Sequence, residues 1–199
     1  MAISRRLRRA ASAALILATA CTDLTIPGSS VLDGADLLPL PLEAGAPMPA
    51  AASFYVSNSR TELRRLLHSD AFNSLYLQVE FPTSALASLN GTPLGPNDSV
   101  LVTLEPEPAG YGVTVRPSGL EFTAGRGPTV TFVYAAYGDL GVADGSPTYA
   151  SRAAYAAALS LWEDVGPDRW QRVAGSTTGN ETVTARLAAP GTYRVAAPR

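Results

Sequence analysis

The sequence predicts an all-β fold, an antiparallel β-sandwich. Three observations carry this expectation. Short runs in which apolar and polar residues alternate recur through most of the chain, the signature of half-buried strands. Turn-forming Gly, Pro and Asn groups separate them. The composition, 46% hydrophobic and 16% charged in 199 residues, is that of a globular chain with room for one domain.

Taken in order, Leu75, Leu77, Val79 and Phe81 alternate with Tyr76, Gln78 and Glu80 and stop at Pro82. Val100, Val102 and Leu104 oppose Ser99, Leu101, Thr103 and Glu105, and this run also ends at a proline. Further strands are expected at 113–116, 120–122, 129–134, 159–163, 170–173, 182–187 and 192–196. Asn90-Gly91, Pro117-Ser118-Gly119, Gly166-Pro167-Asp168 and Thr178-Gly179-Asn180 punctuate them. Two segments suggest short helices. Over 60–68, Leu63, Leu66 and Leu67 form one helical stripe behind Ser59, with Glu62 at capping-box spacing. The alternative there is an edge strand with Arg64 facing water. The Ala-rich stretch 149–158 predicts a second short helix across one end.

The N-terminus has its own organisation. Arg5, Arg6, Arg8 and Arg9 precede a small, apolar run from Ala10 to Ala20, too short at about 1.5 Å per residue for a bilayer span. A basic region, a short apolar region and small residues before a cut site describe a secretory signal over residues 1–20. The run ends Leu17-Ala18-Thr19-Ala20-Cys21, and Cys21 is the chain's single cysteine. This resembles a bacterial lipobox, whose cysteine is diacylated and becomes the mature N-terminus. Ala18 departs from the family's preferred Leu three positions before the cysteine. Thr22 stands where an inner-membrane retention signal has Asp, so the resemblance implies an outer-membrane or cell-surface address. The alternative is an ordinary signal peptide with an incidental cysteine. Cleavage before Cys21 removes four Arg and leaves eleven against seventeen carboxylates, a net charge of −6 in place of −2.

After the anchor, Pro27, Pro39, Pro41, Pro47 and Pro49 make 21–53 a Pro- and Ala-rich linker, reaching about 100 Å if extended. Leu37-Leu38-Pro39-Leu40-Pro41-Leu42 alternatively lies against the domain. Residues 54–199 form the single sandwich domain.

The composition also excludes chemistries. All fifteen cationic residues are Arg, which removes amine-dependent reactions such as Schiff-base formation and P-loop phosphate binding. One His and one Cys exclude zinc sites built on His/Cys clusters. His68 beside Ser69 and Asp70 invites a triad, but triads are assembled from distant segments, so a structural or surface role is expected. Gly175-Ser176-Thr177-Thr178-Gly179 reads as a turn, not a nucleophile elbow. Asp139 and Asp144 offer oxygens to calcium but fall short of its six to eight ligands. Trp162 and Trp170 are candidate ligand contacts, a sugar-stacking platform, because the Trp162 phase of its strand also carries Ser160 and Asp164. Glu80, Glu105 and Glu121 are the carboxylates a glycosidase pair would draw on. Dispersed Arg residues argue against nucleic acid.

A family resemblance runs through 75–197. Phe81-Pro82-Thr83-Ser84-Ala85-Leu86, Asp98 through Leu104, Val115-Arg116-Pro117-Ser118-Gly119-Leu120-Glu121-Phe122 and Pro128 through Tyr134 are similar to successive segments of the ZU-five domain of zonula-occludens proteins, ankyrins and netrin receptors. The resemblance implies a β-sandwich for protein contacts without an active site. One branch of such proteins self-cleaves at His-Phe-Ser or His-Tyr-Ser; here Ala189 and Gly191 stand at the aligned positions, so nucleophile and base are missing. The expectation is a non-catalytic, monomeric, lipid-anchored envelope protein without cofactors that presents a sandwich for protein interaction or a structural role. A carbohydrate-binding module is the alternative, and a carboxylate-dependent hydrolase a second.

Overall fold

The computed structural model describes residues 31–108 and 110–199; the expected signal 1–20 and Leu17, Ala18, Thr19, Ala20 and Cys21 lie outside the described residues. The chain opens with β1 (Val31–Asp33), a 3-10 turn (Gly34–Asp36) and β2 (Leu37–Pro39). Then come β3 (Ala52–Ser57), β4 (Glu62–Leu67), β5 (Leu75–Phe81), β6 (Leu86–Leu89) and β7 (Thr92–Pro93). β8 (Ser99–Pro106), β9 (Gly112–Arg116), β10 (Leu120–Phe122) and β11 (Thr129–Val133) follow. Helix α1 (Arg152–Ala158) leads into β12 (Ser160–Gly166), β13 (Arg169–Arg172), β14 (Thr177–Gly179), β15 (Thr182–Arg186) and β16 (Thr192–Pro198).

The strands form an all-β sandwich of antiparallel sheets packed against each other. One sheet runs β1-β13-β12-β16-β9-β8-β3, with β2 also paired to β16; the other runs β14-β15-β11-β5-β4. A small sheet, β10-β6-β7, lies at the side. The period of two decides which residues meet. Val56, Val100, Val102, Leu104, Leu161 and Val195 from the first sheet join Leu77, Val79, Phe81, Val130, Phe132 and Val183 from the second in one core. Tyr76 ties the sheets: its hydroxyl donates to Gly112 O (2.7 Å) and accepts from Gly112 N–H (2.9 Å), satisfying buried main chain. At Asn90-Gly91 both residues take positive φ (51° and 77°), the backbone a two-residue hairpin needs between β6 and β7.

Every strand expected beyond residue 73 is present, with end shifts of up to three residues. The second helix spans Arg152–Ala158, started by the Ser151 side chain accepting from Ala154 N–H. Two expectations need correction. Residues 60–68 are not a helix: Glu62–Leu67 pairs with β5 from Glu62↔Phe81 to Leu67↔Leu75. A six-residue run is too short to hold a helix alone, and the edge of β5 that β11 leaves open supplies a full ladder. Glu62 does not close a capping box; its carboxylate reaches back to Ser57 N–H at 3.3 Å.

Nor is 31–53 a free linker. β1 pairs with β13 and β2 with β16, while Leu42 bridges Gly138 and Pro49 bridges His68. Leu37 and Leu40 have no exposed surface. The prolines forbid helix but not edge pairing. Leu40 N–H donates to Val195 O and Arg199 N–H to Asp36 O, so Pro39 and Pro198 fall at intervening positions where no ladder donor is required.

Candidate functional site

Strands β3 and β4 are the outermost members of the two large sheets and meet along one side of the sandwich. Their outward residues are apolar beyond what a solvated edge needs. Tyr55 (65% exposed) and Leu101 (49%) are register partners on the outer face of the first sheet. Leu63 and Leu67 are exposed on β4 around the same edge. Beneath them, Arg64 and Glu62 close the seam. Arg64 Nη2 donates to Tyr55 O (3.2 Å) and pairs with Glu62, and its guanidinium lies 5.1 Å from the Phe54 ring centroid. Glu62 is 5% exposed, so its charge is held by Arg60, Arg64 and the Ser57 amide. The arrangement ties the edge together, while Tyr55 and Leu101 on the outer face of the first sheet and Leu63 and Leu67 on that of the second stay exposed to solvent. Sequence reasoning did not single out these residues. The available signal was Leu101, an apolar residue in the polar phase of its strand.

The expected ligand contacts Trp162 and Trp170 require correction. Trp162 is 1% exposed and Trp170 5%. Their direction was legible: Leu161 and Val195, partners in register, face the main core, so Trp162 and its partner Arg194 project from the opposite, outer face. That face is covered. Leu37, Trp162, Trp170 and Ala196, with Leu32 against them, form a second cluster apart from the main core. Trp162 Nε1–H donates to Ala196 O at 3.0 Å, and the Arg194 guanidinium stacks 4.2 Å from the Trp170 ring.

Other expected residues have structural partners. His68 Nδ1 lies 2.8 Å from Pro47 O; a carbonyl only accepts, so Nδ1 carries the proton and the buried Nε2 is left without a partner among rings of Tyr76, Tyr111 and Tyr137. Ser69 Oγ donates to Met48 O, away from His68. Asp70 accepts from Ser74 N–H, Phe72 N–H and Tyr137 Oη–H. The bonds from Ser74, chief among these, hold its carboxyl at about 2, below the usual 3.8. The triplet therefore pins segment 47–49 and the turn into β5, and no triad forms.

Asp139 Oδ1 caps the 3-10 turn Leu140–Ala143 by accepting from Gly141 N–H, and Asp144 is engaged by Nε and Nη2 of Arg152. That guanidinium keeps the Asp144 carboxyl below its usual range. The oxygens suggested for calcium thus have protein donors already, and no group of three or more His, Cys, Asp or Glu is placed to hold a metal among the described residues. Glu80 lies on β5, Glu105 on β8 paired with Arg116, and Glu121 on β10 accepting from Ser88 Oγ. These are three different sheets, and the structure does not bring the carboxylates together as a pair within one. Ser176 Oγ accepts from Leu161 N–H within its turn.

No protein-family model matches the chain, and no curated protein matches it.

Proposed function

We propose that the chain is an exported, lipid-anchored module of the cell envelope that binds another protein through the β3–β4 edge. The observation that carries this reading is the exposure of the register partners Tyr55 and Leu101 beside a seam tied by Glu62 and Arg64, with Leu63 and Leu67 exposed around the same edge on the outer face of β4. A pre-ordered edge with apolar side chains loses little entropy on docking. The resemblance of 75–197 to ZU-five domains points the same way.

The anchor is supported by the residue order basic, small-apolar, Ala20-Cys21. Because β1 begins at Val31, nine residues separate it from Cys21, and ten residue steps reach at most about 35 Å. The anchored sandwich therefore works close to its membrane, not at the end of a long stalk. A non-catalytic role is supported by His68, Ser69 and Asp70, whose polar groups serve structural bonds. The glycan reading loses the residues it was built on, since Trp162 and Trp170 are covered.

Two measurements test this. Radiolabelled palmitate is expected to label the chain in its native cells and not the Cys21→Ser variant; no label on the wild type refutes the anchor. A photoreactive residue at position 55 is expected to give a discrete cross-linked species in intact cells that Leu101→Asp abolishes, whereas position 131 on the opposite sheet gives none. Equal patterns at 55 and 131 refute the edge as the interface.

A further inference from the structure

In hydrogen-bond order β1 and β2 stand four steps apart, β1-β13-β12-β16-β2. In a flat sheet that is about 19 Å. Asp33 and Leu37 are joined by three residues and separated by at most about 14 Å of chain. The sheet therefore curls over its outer face, and residues 31–39 close the curl as a strap. Beneath the strap lie Trp162 and Trp170, the chain's two tryptophans. Two of the five residues of that cluster, Leu32 and Leu37, belong to the strap.

We propose that residues 31–39 are a releasable strap over a strand-binding platform, and that the platform's partner is an extended peptide that pairs with β16 and seats an apolar side chain against Trp162. The strap itself displays the chemistry. β2 adds to β16 as an antiparallel strand, with Leu37 entering the tryptophan cluster while Leu38 and Leu40 turn to the main core. With the strap released, Arg199 N–H loses Asp36 O, the β16 edge at 196–198 is left unpaired, and a leucine-sized notch opens beside two aromatic rings of the kind that dominate protein contacts.

Release is favoured by how the strap is held. Each of its strands has three residues, and Leu32 and Leu37 pack in a cluster separate from the main core, so Leu38, whose carbonyl accepts from Tyr155 Oη–H, is the strap's one member of that core. At its C-terminal end β2 and β9 lie end to end along β16. A cavity of about 110 Å³ opens there between Pro39, Leu40, Gly110, Tyr111 and Gly112. This inference rests on the reading of the chain as a protein-binding module but not on the lipid anchor or the β3–β4 edge, and its test uses neither.

The experiment uses the full chain with Cys21→Ser, plus Val31→Cys and Gln171→Cys, and a fluorescent peptide of residues 34–42 as probe. Gly34 N–H donates to Asp168 O, which places 31 and 171 at a non-hydrogen-bonded pair about 4.5 Å apart, suited to a disulfide. Reduced protein is expected to bind the peptide, and oxidised protein about tenfold or more weakly, because the tethered strap competes. The chain variant Leu37→Asp, with an unchanged far-UV spectrum, is expected to bind about tenfold more tightly than wild type. A peptide carrying the same Leu37→Asp change is expected not to bind. Equal affinity of the oxidised and reduced forms overturns the proposal. So does absence of binding to both the reduced protein and a folded Leu37→Asp chain, or displacement of the peptide by chitin or peptidoglycan oligosaccharides at the tryptophans.

Discussion

The sandwich contains two apolar clusters of very different construction. The main core draws on both large sheets, the small sheet and α1, so each of its residues is held from several directions. The second cluster has Trp162, Trp170 and Ala196 on one sheet face, and its cover is supplied by Leu32 and Leu37. Redundancy in the first makes damage global. Dependence of the second on a nine-residue strap makes damage local, which is the property expected of a surface that opens.

This contrast sets the order of the predictions. Phe132→Ala removes a fully buried ring that packs edge-on against Tyr76, 5.7 Å between centroids. It is expected to cost about 3–5 kcal/mol and to lower the far-UV and tryptophan unfolding transitions together. A tryptophan transition left unmoved while the far-UV transition falls would show the clusters to be coupled differently. Leu37→Ala is expected to cost about 2–4 kcal/mol of strap closure, red-shifting tryptophan emission while the far-UV transition moves little. An equal shift of both probes would make the second cluster part of the main core.

The smallest effect belongs to acid. Asp70 has its folded pKa depressed to about 2 from 3.8, so its contribution is complete above about pH 4 and is lost as pH falls toward 2. Asp70→Asn is expected to lower the melting temperature slightly at pH 7 and to flatten its decline between pH 4 and 2. The effect belongs to the main body, where Asp70 holds Tyr137 and the turn into β5. An unchanged pH profile would remove Asp70 from the account.

Strands such as β5 and β8 were legible because alternation and a terminal proline act locally. The stripe of Leu63, Leu66 and Leu67 fits a helix and a strand alike, and only the neighbouring β5 decides between them. Residues 31–53 were read as a spacer because prolines suppress regular patterns; the pairing that captures them comes from β16, more than 150 residues later. For the same reason the tryptophan face was legible in direction but not in burial. The polar neighbours Ser160 and Asp164 point it outward, while its cover comes from a distant segment. The exposed edge left a single mark, Leu101.

The most direct measurement is a denaturant titration of the full chain carrying Cys21→Ser, followed by tryptophan fluorescence and far-UV circular dichroism. Both tryptophans lie under the strap, so fluorescence reports the second cluster and circular dichroism the sheets. The account predicts a tryptophan midpoint at clearly lower denaturant than the far-UV midpoint, with the two brought together by the 31–171 disulfide. Coincident midpoints in the unlocked chain would contradict it.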